Sequence, residues 1–355
     1  MRIGIYDPYL DTLGGGEKYM LTAASVLAKK HTVSLFWDDS SILEKARSRF
    51  GLDGDTIRFA PNIFTPKYSL LQRILLTQDY DAIFYLSDGS IPLLGAKKLY
   101  LHFQFPVEWV QKPSLLSYFK IKRVNAFICN SRFTKGYIDK KFGVKSKVLY
   151  PPVERFSESS LPKENMILSV GRFQKNSEGR LVKKQDVLID TFKKMVDRGL
   201  KDWELVLMGG VLEKDQEVVL SLKENAKGYA IRIVSNVGMG VLHTAYCKAK
   251  IYWHASGFGE DLKTHPERAE HFGISTVEAM QKGAVPVVIN AGGQKEIVAD
   301  GANGYLWDTQ EELEKRTQKI ITDTSLWGKL SLEAIKDAQN FTKDRFAEEL
   351  TKLIV

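Results

Sequence analysis

With 355 residues, of which 44% are hydrophobic and 26% charged, the chain is long enough to bury two hydrophobic cores, which excludes a disordered or fibrous protein. Cys129 and Cys247 lie far apart in apolar stretches, which excludes a disulfide framework, and no apolar run approaches the ~20 residues of a membrane-spanning helix. The net charge of +8 lies in the first half, because residues 1–152 hold 22 Lys and Arg against 13 Asp and Glu, whereas the remainder holds 29 against 30.

In the first half, short apolar runs rich in β-branched and aromatic residues alternate with amphipathic stretches, a pattern typical of a parallel sheet covered on both faces. The N-terminal residues have the pattern of a strand instead of a signal peptide, and we therefore expect a cytoplasmic protein. The predicted strands are Ile3–Tyr6, Thr32–Trp37, Thr56–Phe59, Ala82–Leu86, Lys98–Leu101, Ala126–Cys129 and Lys147–Leu149. The helical patterns between them include Glu17–Lys29, Ser41–Phe50 and Ser131–Phe142.

The Tyr150-Pro151-Pro152-Val153 segment interrupts this alternation, because two prolines neither continue a strand nor enter a helix interior. The alternation then restarts, which predicts an α/β protein with two doubly wound, Rossmann-like domains. The second set of predicted strands is Met166–Val170, Trp203–Met208, Ile231–Val234, Ile251–His254, Val285–Ile289 and Gly304–Trp307. We predict domains at 1–152 and 153–338, and a C-terminal helix within 339–355 that returns across the junction.

Two polar features follow strands in the first half. Leu13-Gly14-Gly15-Gly16-Glu17 lies between a strand and a helix, where glycines let backbone N–H groups approach a phosphate or a sugar. An ordinary glycine turn is the alternative, and the third glycine of the dinucleotide fingerprint is missing. His102 follows a later strand, where it would bond a sugar hydroxyl or orient a nucleophile, unless it is a structural histidine.

The basic excess concentrates between Lys112 and Lys147, a segment with ten basic residues and a single acid, Asp139. Its interleaved apolar residues are Leu115, Leu116, Tyr118, Phe119 and Ile121. Such a surface attracts anionic lipid, nucleic acid or phosphorylated acceptors, although a solvated face is an equally good explanation. Because no recognised nucleic-acid motif accompanies it, we predict peripheral contact with the inner face of an anionic membrane, and no nucleic-acid partner.

The strongest local pattern is Glu270-His-Phe-Gly-Ile-Ser-Thr-Val-Glu278. Ser275 or Thr276 is predicted to cap a helix, whose free N–H groups would take a diphosphate between two carboxylates. The carboxylates would accept hydrogen bonds from ribose and sugar hydroxyls. Ser275-x-x-Glu278 also fits a capping box, in which Glu278 only closes its own helix.

This pattern, continued by Ala279-Met280, Gly283 and Gly292-Gly293, resembles the signature of glycosyltransferase family 4, in which two glutamates separated by seven residues mark the donor site. The resemblance is strongest to the lipid-linked oligosaccharide mannosyltransferases. It implies two Rossmann-like domains that face each other across a cleft, with the acceptor on the first domain and the nucleotide sugar on the second. It also implies retaining transfer of a hexose from a UDP- or GDP-sugar to a hydroxyl of a glycan or lipid-linked acceptor, with no cofactor and no required metal.

The resemblance further implies roles for individual residues. The catalytic set is Glu270, His102, Arg172 and Lys183. The donor-binding set is Gly15, Gly16, Arg172, Lys183, His254, Gly273, Ile274, Ser275 and Glu278. Arg172 and Lys183 would neutralise the departing diphosphate in place of a divalent cation, whereas a surface ion pair is the alternative for Arg172.

Residues 257–269 form a charged insertion that departs from the family pattern. It would serve as a lid or as an acceptor contact, and it makes Glu260 an alternative to Glu270 for the sugar. Asp53-Gly-Asp55 has the form of a metal-binding pair but is better explained as a turn, and the histidines lack zinc spacing. The competing functions are a nucleotide-sugar epimerase of the same architecture and a non-catalytic sugar-nucleotide binder.

Overall fold

The computed structural model describes residues 1–52, 56–110, 115–154 and 161–354, and it describes Leu115 and Leu116 by their backbone alone. The Asp53-Gly-Asp55 segment and Lys112 lie outside the described residues. The chain forms two compact units, one of Met1–Pro152 with Lys343–Val355 and the other of Val153–Thr342. The predicted boundary near residue 152 thus coincides with a change of unit, whereas residues 339–342 stay with the second unit instead of joining the C-terminal helix.

The first unit contains a seven-stranded parallel sheet in the order β3-β2-β1-β4-β5-β6-β7 among its described residues. The strands are β1 (Arg2–Tyr6), β2 (Thr32–Phe36), β3 (Arg58–Ala60), β4 (Ala82–Leu86), β5 (Lys98–Phe103), β6 (Ala126–Cys129) and β7 (Lys147–Val148). The helices between them are α1 (Gly15–Ala28), α2 (Ile42–Phe50), α3 (Leu70–Thr77), α4 (Leu115–Lys122) and α5 (Arg132–Phe142). The central strand β4 is buried along its whole length, as a continuous apolar run predicts.

The second unit contains a six-stranded parallel sheet in the order β10-β9-β8-β11-β12-β13. The strands are β8 (Glu164–Val170), β9 (Glu204–Gly209), β10 (Ile231–Ser235), β11 (Ala249–His254), β12 (Val285–Ile289) and β13 (Tyr305–Trp307). The helices are α6 (Gln185–Asp197), α7 (Gln216–Asn225), α8 (Met239–Lys248), α9 (Ile274–Gln281), α10 (Gln294–Ile297), α11 (Gln310–Thr322) and α12 (Thr324–Ala338). Every predicted strand matches an observed one to within two residues at each end.

The last helix, α13 (Lys343–Ile354), returns to the first unit, as predicted. Its apolar residues Phe346, Leu350 and Ile354 are buried in the same core as α1 and α2. The Tyr100 hydroxyl of β5 donates a hydrogen bond to the carbonyl of Ile354. An amphipathic stripe at helical spacing therefore completes one face of the first sheet.

In both units the order of the strands reverses beside a central pair, β1 and β4 in the first unit and β8 and β11 in the second. Ligands of doubly wound sheets bind at the carboxyl ends of such a pair, because the connections leave on opposite faces there and open a crevice. Among the described residues, no helix combines the length and the apolar character needed to cross a membrane.

Candidate active site

The sheet of the second unit brings Lys183, His254 and Glu270 together, and we call these three residues the glutamate cluster. His254 ends β11, Lys183 precedes α6, and Glu270 lies in the loop before α9. Lys183 Nζ donates to Glu270 Oε2 over 2.6 Å, and His254 Nε2 lies 2.8 Å from the same oxygen. The cluster therefore stands at the carboxyl end of β11, beside the point where the strand order reverses.

The protonation of the glutamate cluster follows from its contacts. Burial alone would raise the pKa of Glu270, but Lys183 and His254 together hold it well below its usual range. Burial lowers the pKa of His254 despite the opposing effect of Glu270, so the imidazole is neutral. The backbone N–H of Ser256 donates to His254 Nδ1, which leaves the ring proton on Nε2 for the bond to Glu270. A carboxylate anion thus sits between an ammonium group and a neutral imidazole.

Helix α9 begins differently from the prediction. Its N-cap is Gly273, with φ of +120°, and neither Ser275 nor Thr276 caps it. A side chain at position 273 would be strained by this backbone conformation and would also meet the amide of Gln294, since Nε2 lies 2.7 Å from the Cβ position. The Ser275 hydroxyl instead accepts from Tyr252 over 2.7 Å. The predicted side-chain cap was therefore wrong, because a glycine turn starts this helix earlier.

Because the N-cap of α9 is Gly273 and not Ser275, a capping box does not explain Glu278. This residue lies in the second turn of α9, too far along the helix to accept from a cap, and its side chain is buried. The Tyr246 hydroxyl of α8 donates to Glu278 Oε2 over 2.9 Å. Glu278 is thus a buried carboxylate held by a tyrosine, on the helix that follows Glu270.

Arg172 lies two residues past the end of β8 and is exposed. The guanidinium makes no ion pair with any residue that the structure describes, so the alternative of a surface ion pair has no support. Gly171, next to Arg172, contacts the stem of Lys183, whose Cγ lies 2.9 Å from where a Cβ at position 171 would stand. The stem of Lys183 therefore lies beside the residue that precedes Arg172, just past the end of β8.

The insertion at 257–269 is tied to the second unit by ion pairs centred on Glu260. The Glu260 carboxylate, 2% exposed, accepts from Lys184 through Oε1 and pairs with Arg268 at 2.9 Å and Arg180 at 3.3 Å through Oε2. Lys184 has a left-handed backbone, with φ of 52°, and directly follows Lys183. Glu260 consequently pairs with the side chain of the residue after Lys183, whereas Glu270 contacts Lys183 itself.

Glu260→Gln is expected to lower the free energy of unfolding by about 3 kcal/mol, because it leaves the buried Lys184 ammonium without a counter-charge. Lys184, Arg268 and Arg180 overcome the effect of burial and lower the pKa of Glu260. The stability that Glu260 contributes is therefore fully present above its unfolded pKa of about 4.3 and is lost as the pH falls through the lower folded pKa.

Denaturant unfolding of wild type and Glu260→Gln, near neutral pH and at about pH 3, measures this effect. The two proteins should differ near neutrality and converge in acid. Glu333→Gln, which removes an exposed carboxylate paired with Lys336, is the matched control and should behave as wild type at both values. A constant difference between wild type and Glu260→Gln across the pH range would contradict the ion-pair explanation.

The glycine loop of the first unit lies at the start of α1. Gly14 is the N-cap, and its N–H donates to Glu17 Oε2 over 2.5 Å. Gly15 and Gly16 are the first helical residues, and the carbonyl of Gly16 accepts from Gln104 Nε2 over 3.0 Å. A side chain at position 16 would overlap Gln104, since Oε1 lies 2.1 Å from the Cβ position. Close packing thus explains Gly16, while the donor-binding role of Gly15 and Gly16 stays a prediction.

His102 does not lie at an exposed strand end. It is fully buried within β5, where its ring stacks on Tyr19 at 4.2 Å and on Phe84 at 5.5 Å between ring centroids. Burial lowers the pKa of His102 to about 3, so the imidazole is neutral. These contacts favour the structural role for His102 over the catalytic one, because no sugar can reach a side chain without exposed surface.

Sequence reasoning missed Asp7, which directly follows β1. Its side chain is buried, and Oδ1 accepts from the N–H of Tyr9 over 2.8 Å. Burial, and then the charge of Glu17, raise the pKa of Asp7 to about 8. Its position after a strand was the available signal, as it was for His102. Tyr246 and Tyr252 were also missed, because a tyrosine that supports a carboxylate or a hydroxyl has no distinguishing local pattern.

Among the residues that the structure describes, no three or more His, Cys, Asp or Glu side chains come together in a group able to hold a metal ion. Cys129 and Cys247 are both buried, and they are not joined in a disulfide.

A family model described as "Glycosyl transferases group 1" matches residues 152–341, more than half of the chain. A second model, "Glycosyltransferase Family 4", matches residues 13–155. The two matches meet at the boundary between the two compact units.

Among curated proteins, the GDP-Man:Man(3)GlcNAc(2)-PP-Dol alpha-1,2-mannosyltransferase of Dictyostelium discoideum is 26% identical over 61% of this chain and 43% of its own length. The GalNAc-alpha-(1->4)-GalNAc-alpha-(1->3)-diNAcBac-PP-undecaprenol alpha-1,4-N-acetyl-D-galactosaminyltransferase of Campylobacter jejuni is 23% identical over 96% of this chain and 95% of its length. The chain thus spans less than half of the first relative.

Among solved structures, HepE of Anabaena in complex with UDP and glucose superposes with a TM-score of 0.70 at 20% identity, over 99% of this chain and 98% of that one. This likeness shows the fold, two Rossmann-like domains.

Proposed function

The chain belongs to the group 1 glycosyl transferases, and on that premise we propose that it transfers a hexose from a UDP- or GDP-sugar to a hydroxyl of a glycan or lipid-linked acceptor. The observation that carries this proposal is the glutamate cluster, in which one carboxylate is held by an ammonium group and a neutral imidazole at the switch point of the sheet. Both bonds of Glu270 fall on Oε2. Within the described part of the chain, Oε1 receives no hydrogen bond and remains for a hydroxyl of the donor sugar.

The rest of the donor is assigned to neighbouring residues. Arg172, just past β8, and Lys183, before α6, take the two phosphates, because cations at fixed positions stabilise the charge that develops as the diphosphate departs. Glu278 takes the ribose hydroxyls, since Tyr246 fixes the position of its carboxylate and the residue, unlike His102, is not fully buried. The start of α9, at Gly273, Ile274 and Ser275, directs backbone N–H groups to the diphosphate.

We propose retention at the anomeric carbon, with the acceptor attacking on the face that the diphosphate leaves. Oε2 of Glu270 is engaged by Lys183 and His254, and we assign Oε1 to a hydroxyl of the donor sugar, so neither oxygen is assigned to a covalent bond with the anomeric carbon. We also propose that transfer needs no metal, because Arg172 and Lys183 carry the charge that a divalent cation would otherwise supply. The anomeric configuration of the product tests the first proposal, and unchanged activity in a metal chelator tests the second. An inverted product would overturn retention.

For the acceptor we propose a lipid-linked glycan, with peripheral contact between the basic first unit and an anionic membrane. The names of both curated relatives specify lipid-linked acceptors, one on dolichol and one on undecaprenol. The first half of the chain carries all of the excess positive charge. Anionic lipid surfaces attract such a charge distribution.

Glu278→Gln is expected to abolish the rise in melting temperature that one class of nucleotide sugar produces in wild type. A ligand that binds only the folded state must raise its melting temperature. Glutamine keeps an acceptor oxygen for Tyr246 but lacks the charge that holds two ribose hydroxyls. The measurement is a thermal-shift screen against UDP-, GDP-, ADP- and TDP-sugars.

Glu333→Gln serves as the control in this screen, because its carboxylate is exposed on α12 and pairs only with Lys336 among the described residues. It should respond to the same sugar as wild type. No response of wild type to any donor would mean that the carboxylates are structural. If Glu278→Gln keeps the full response of wild type, Glu278 does not bind the ribose.

A further inference from the structure

The short helix α3 carries an unusual outward surface. Leu70, Leu71, Leu75 and Leu76 are between 50% and 66% exposed, and we call these four residues the leucine face. Single exposed leucines are ordinary, but four of the eight residues of one helix are exposed leucines, and such a concentration of exposed apolar side chains marks an interaction site.

The leucine face is not a by-product of a loosely held helix. The Ser69 hydroxyl accepts from the N–H of Gln72, and the side-chain oxygen of Gln72 accepts from the N–H of Ser69. These two bonds form a capping box at the start of α3. At the other end, the buried Thr77 hydroxyl accepts from the N–H of Gly95 over 2.8 Å. Arg73 donates to the carbonyl of Thr65. The helix is therefore attached to the unit by its polar side, the reverse of the usual amphipathic arrangement.

Helix α4 also carries exposed apolar side chains, and its C-terminal end contacts the β4–β5 connection that contains Gly95. Tyr118 and Phe119 are 52% and 61% exposed, and Lys122 Nζ lies 4.7 Å above the Tyr118 ring. Arg123, just past α4, donates to the carbonyl of Leu94, the residue before the Gly95 that bonds α3. The C-terminal ends of the two helices are thus attached to adjacent residues of the β4–β5 connection.

Charge distinguishes between the classes of partner for these two helices. Neither α3 nor α4 contains an acidic residue, and the segment from Lys112 to Lys147, which includes α4 and α5, has ten basic residues and the single acid Asp139. Leucine and aromatic side chains next to lysine match the boundary between the headgroups and acyl chains of an anionic bilayer. A second copy of the chain would bring the same positive charge against this surface.

We propose that the leucine face and the α4 aromatics insert together into the surface of an anionic phospholipid membrane, while the bases of α4 contact the headgroups. This proposal adds α3, which lies outside the basic segment, to the membrane-binding surface. It rests on the proposed function only for the purpose of docking, which is access to a lipid-linked acceptor. The leucines supply the apolar part of the binding and Lys120 and Lys122 the electrostatic part.

The test is sedimentation of the full chain with vesicles of phosphatidylcholine and phosphatidylglycerol, and with vesicles of phosphatidylcholine alone. Wild type should bind the anionic vesicles, and high salt should weaken the binding. Leu71→Ser/Leu75→Ser should lower the partition coefficient by about tenfold or more, because two large apolar side chains no longer leave water. Lys120→Gln/Lys122→Gln should weaken binding to anionic vesicles and reduce its salt dependence.

Leu220→Ser/Leu332→Ser is the matched control, since these leucines are 66% and 69% exposed in the second unit. It should bind vesicles as wild type does, and unchanged melting temperatures exclude misfolding of either leucine variant. Failure of wild type to sediment, or equal sedimentation of Leu71→Ser/Leu75→Ser, would overturn the proposal. A dimer in sedimentation velocity that only this variant loses would assign the surface to a second copy instead.

The donor thermal shift, measured on the same proteins, separates this proposal from the proposed function. Leu71→Ser/Leu75→Ser should keep the wild-type response to the nucleotide sugar. Vesicle binding without any donor response would retain the docking surface and reject the transferase, whereas a donor response without vesicle binding would do the opposite.

Discussion

Replacing Glu270 by glutamine is expected to lower kcat by about 10²–10³-fold while binding of the nucleotide diphosphate stays almost unchanged. The substitution keeps the shape of the side chain and its acceptor oxygen for Lys183 and His254, but it removes the negative charge that both contacts stabilise. A sugar that develops positive charge at its anomeric carbon then faces a neutral amide. The measurement is steady-state kinetics together with titration of UDP or GDP.

Glu267→Gln is the control for Glu270→Gln, because it removes a carboxylate from the same loop. Glu267 pairs with His265 at 3.1 Å and is not part of the glutamate cluster. The Glu267→Gln variant should have the same kcat as wild type. A parallel loss of kcat and of nucleotide binding in Glu270→Gln would show that Glu270 supports the fold of the donor site instead of contacting the sugar.

Arg172→Gln is expected to lower kcat/KM by about 10²-fold without changing the melting temperature of the free protein. The Arg172 side chain is exposed and makes no ion pair with any described residue, so its removal costs the free protein little. In the complex it neutralises the diphosphate, whose charge grows as the bond to the sugar breaks. The decrease in kcat/KM should therefore be larger than the decrease in affinity for the intact donor.

Arg198→Gln is the matched control for Arg172→Gln, since Arg198 is exposed and pairs with Glu314 at 2.6 Å on the surface of the same unit. Its kinetics should match those of wild type. An Arg172→Gln enzyme with wild-type kcat/KM would remove Arg172 from the site and leave the diphosphate to Lys183 and the start of α9.

Much of the fold could be predicted because strand formation in parallel sheets depends on local apolar runs. Strands such as β4 and β12 are continuous apolar segments bounded by polar residues, and the sequence predicts their positions closely. Helices α3 and α4 were not predicted. The apolar residues of α3 face solvent instead of a core, so the usual relation between hydrophobic spacing and burial does not hold there.

The start of α9 illustrates a choice between local alternatives. On local grounds Ser275 and Thr276 were both able to cap the helix, whereas in the structure its N-cap is Gly273. The outcome depends on residues of other elements, because Tyr252 bonds the Ser275 hydroxyl and Gln294 bonds the Thr276 hydroxyl. The sequence identified the motif, but contacts from outside it decided that Glu278 is not part of a capping box.

By itself, the sequence determined the α/β class, the strands, the boundary near residue 152 and the motif that contains Glu270 and Glu278, because each depends on residues that are neighbours along the chain. Only the tertiary structure decided which residues Glu270 and Glu260 contact and that His102 is buried. Lys183 and Glu270 are 87 positions apart, and Lys184 and Glu260 are 76 apart. A carboxylate takes its charge state and its role from whichever side chains the folded backbone brings within hydrogen-bond distance, and no local pattern specifies them.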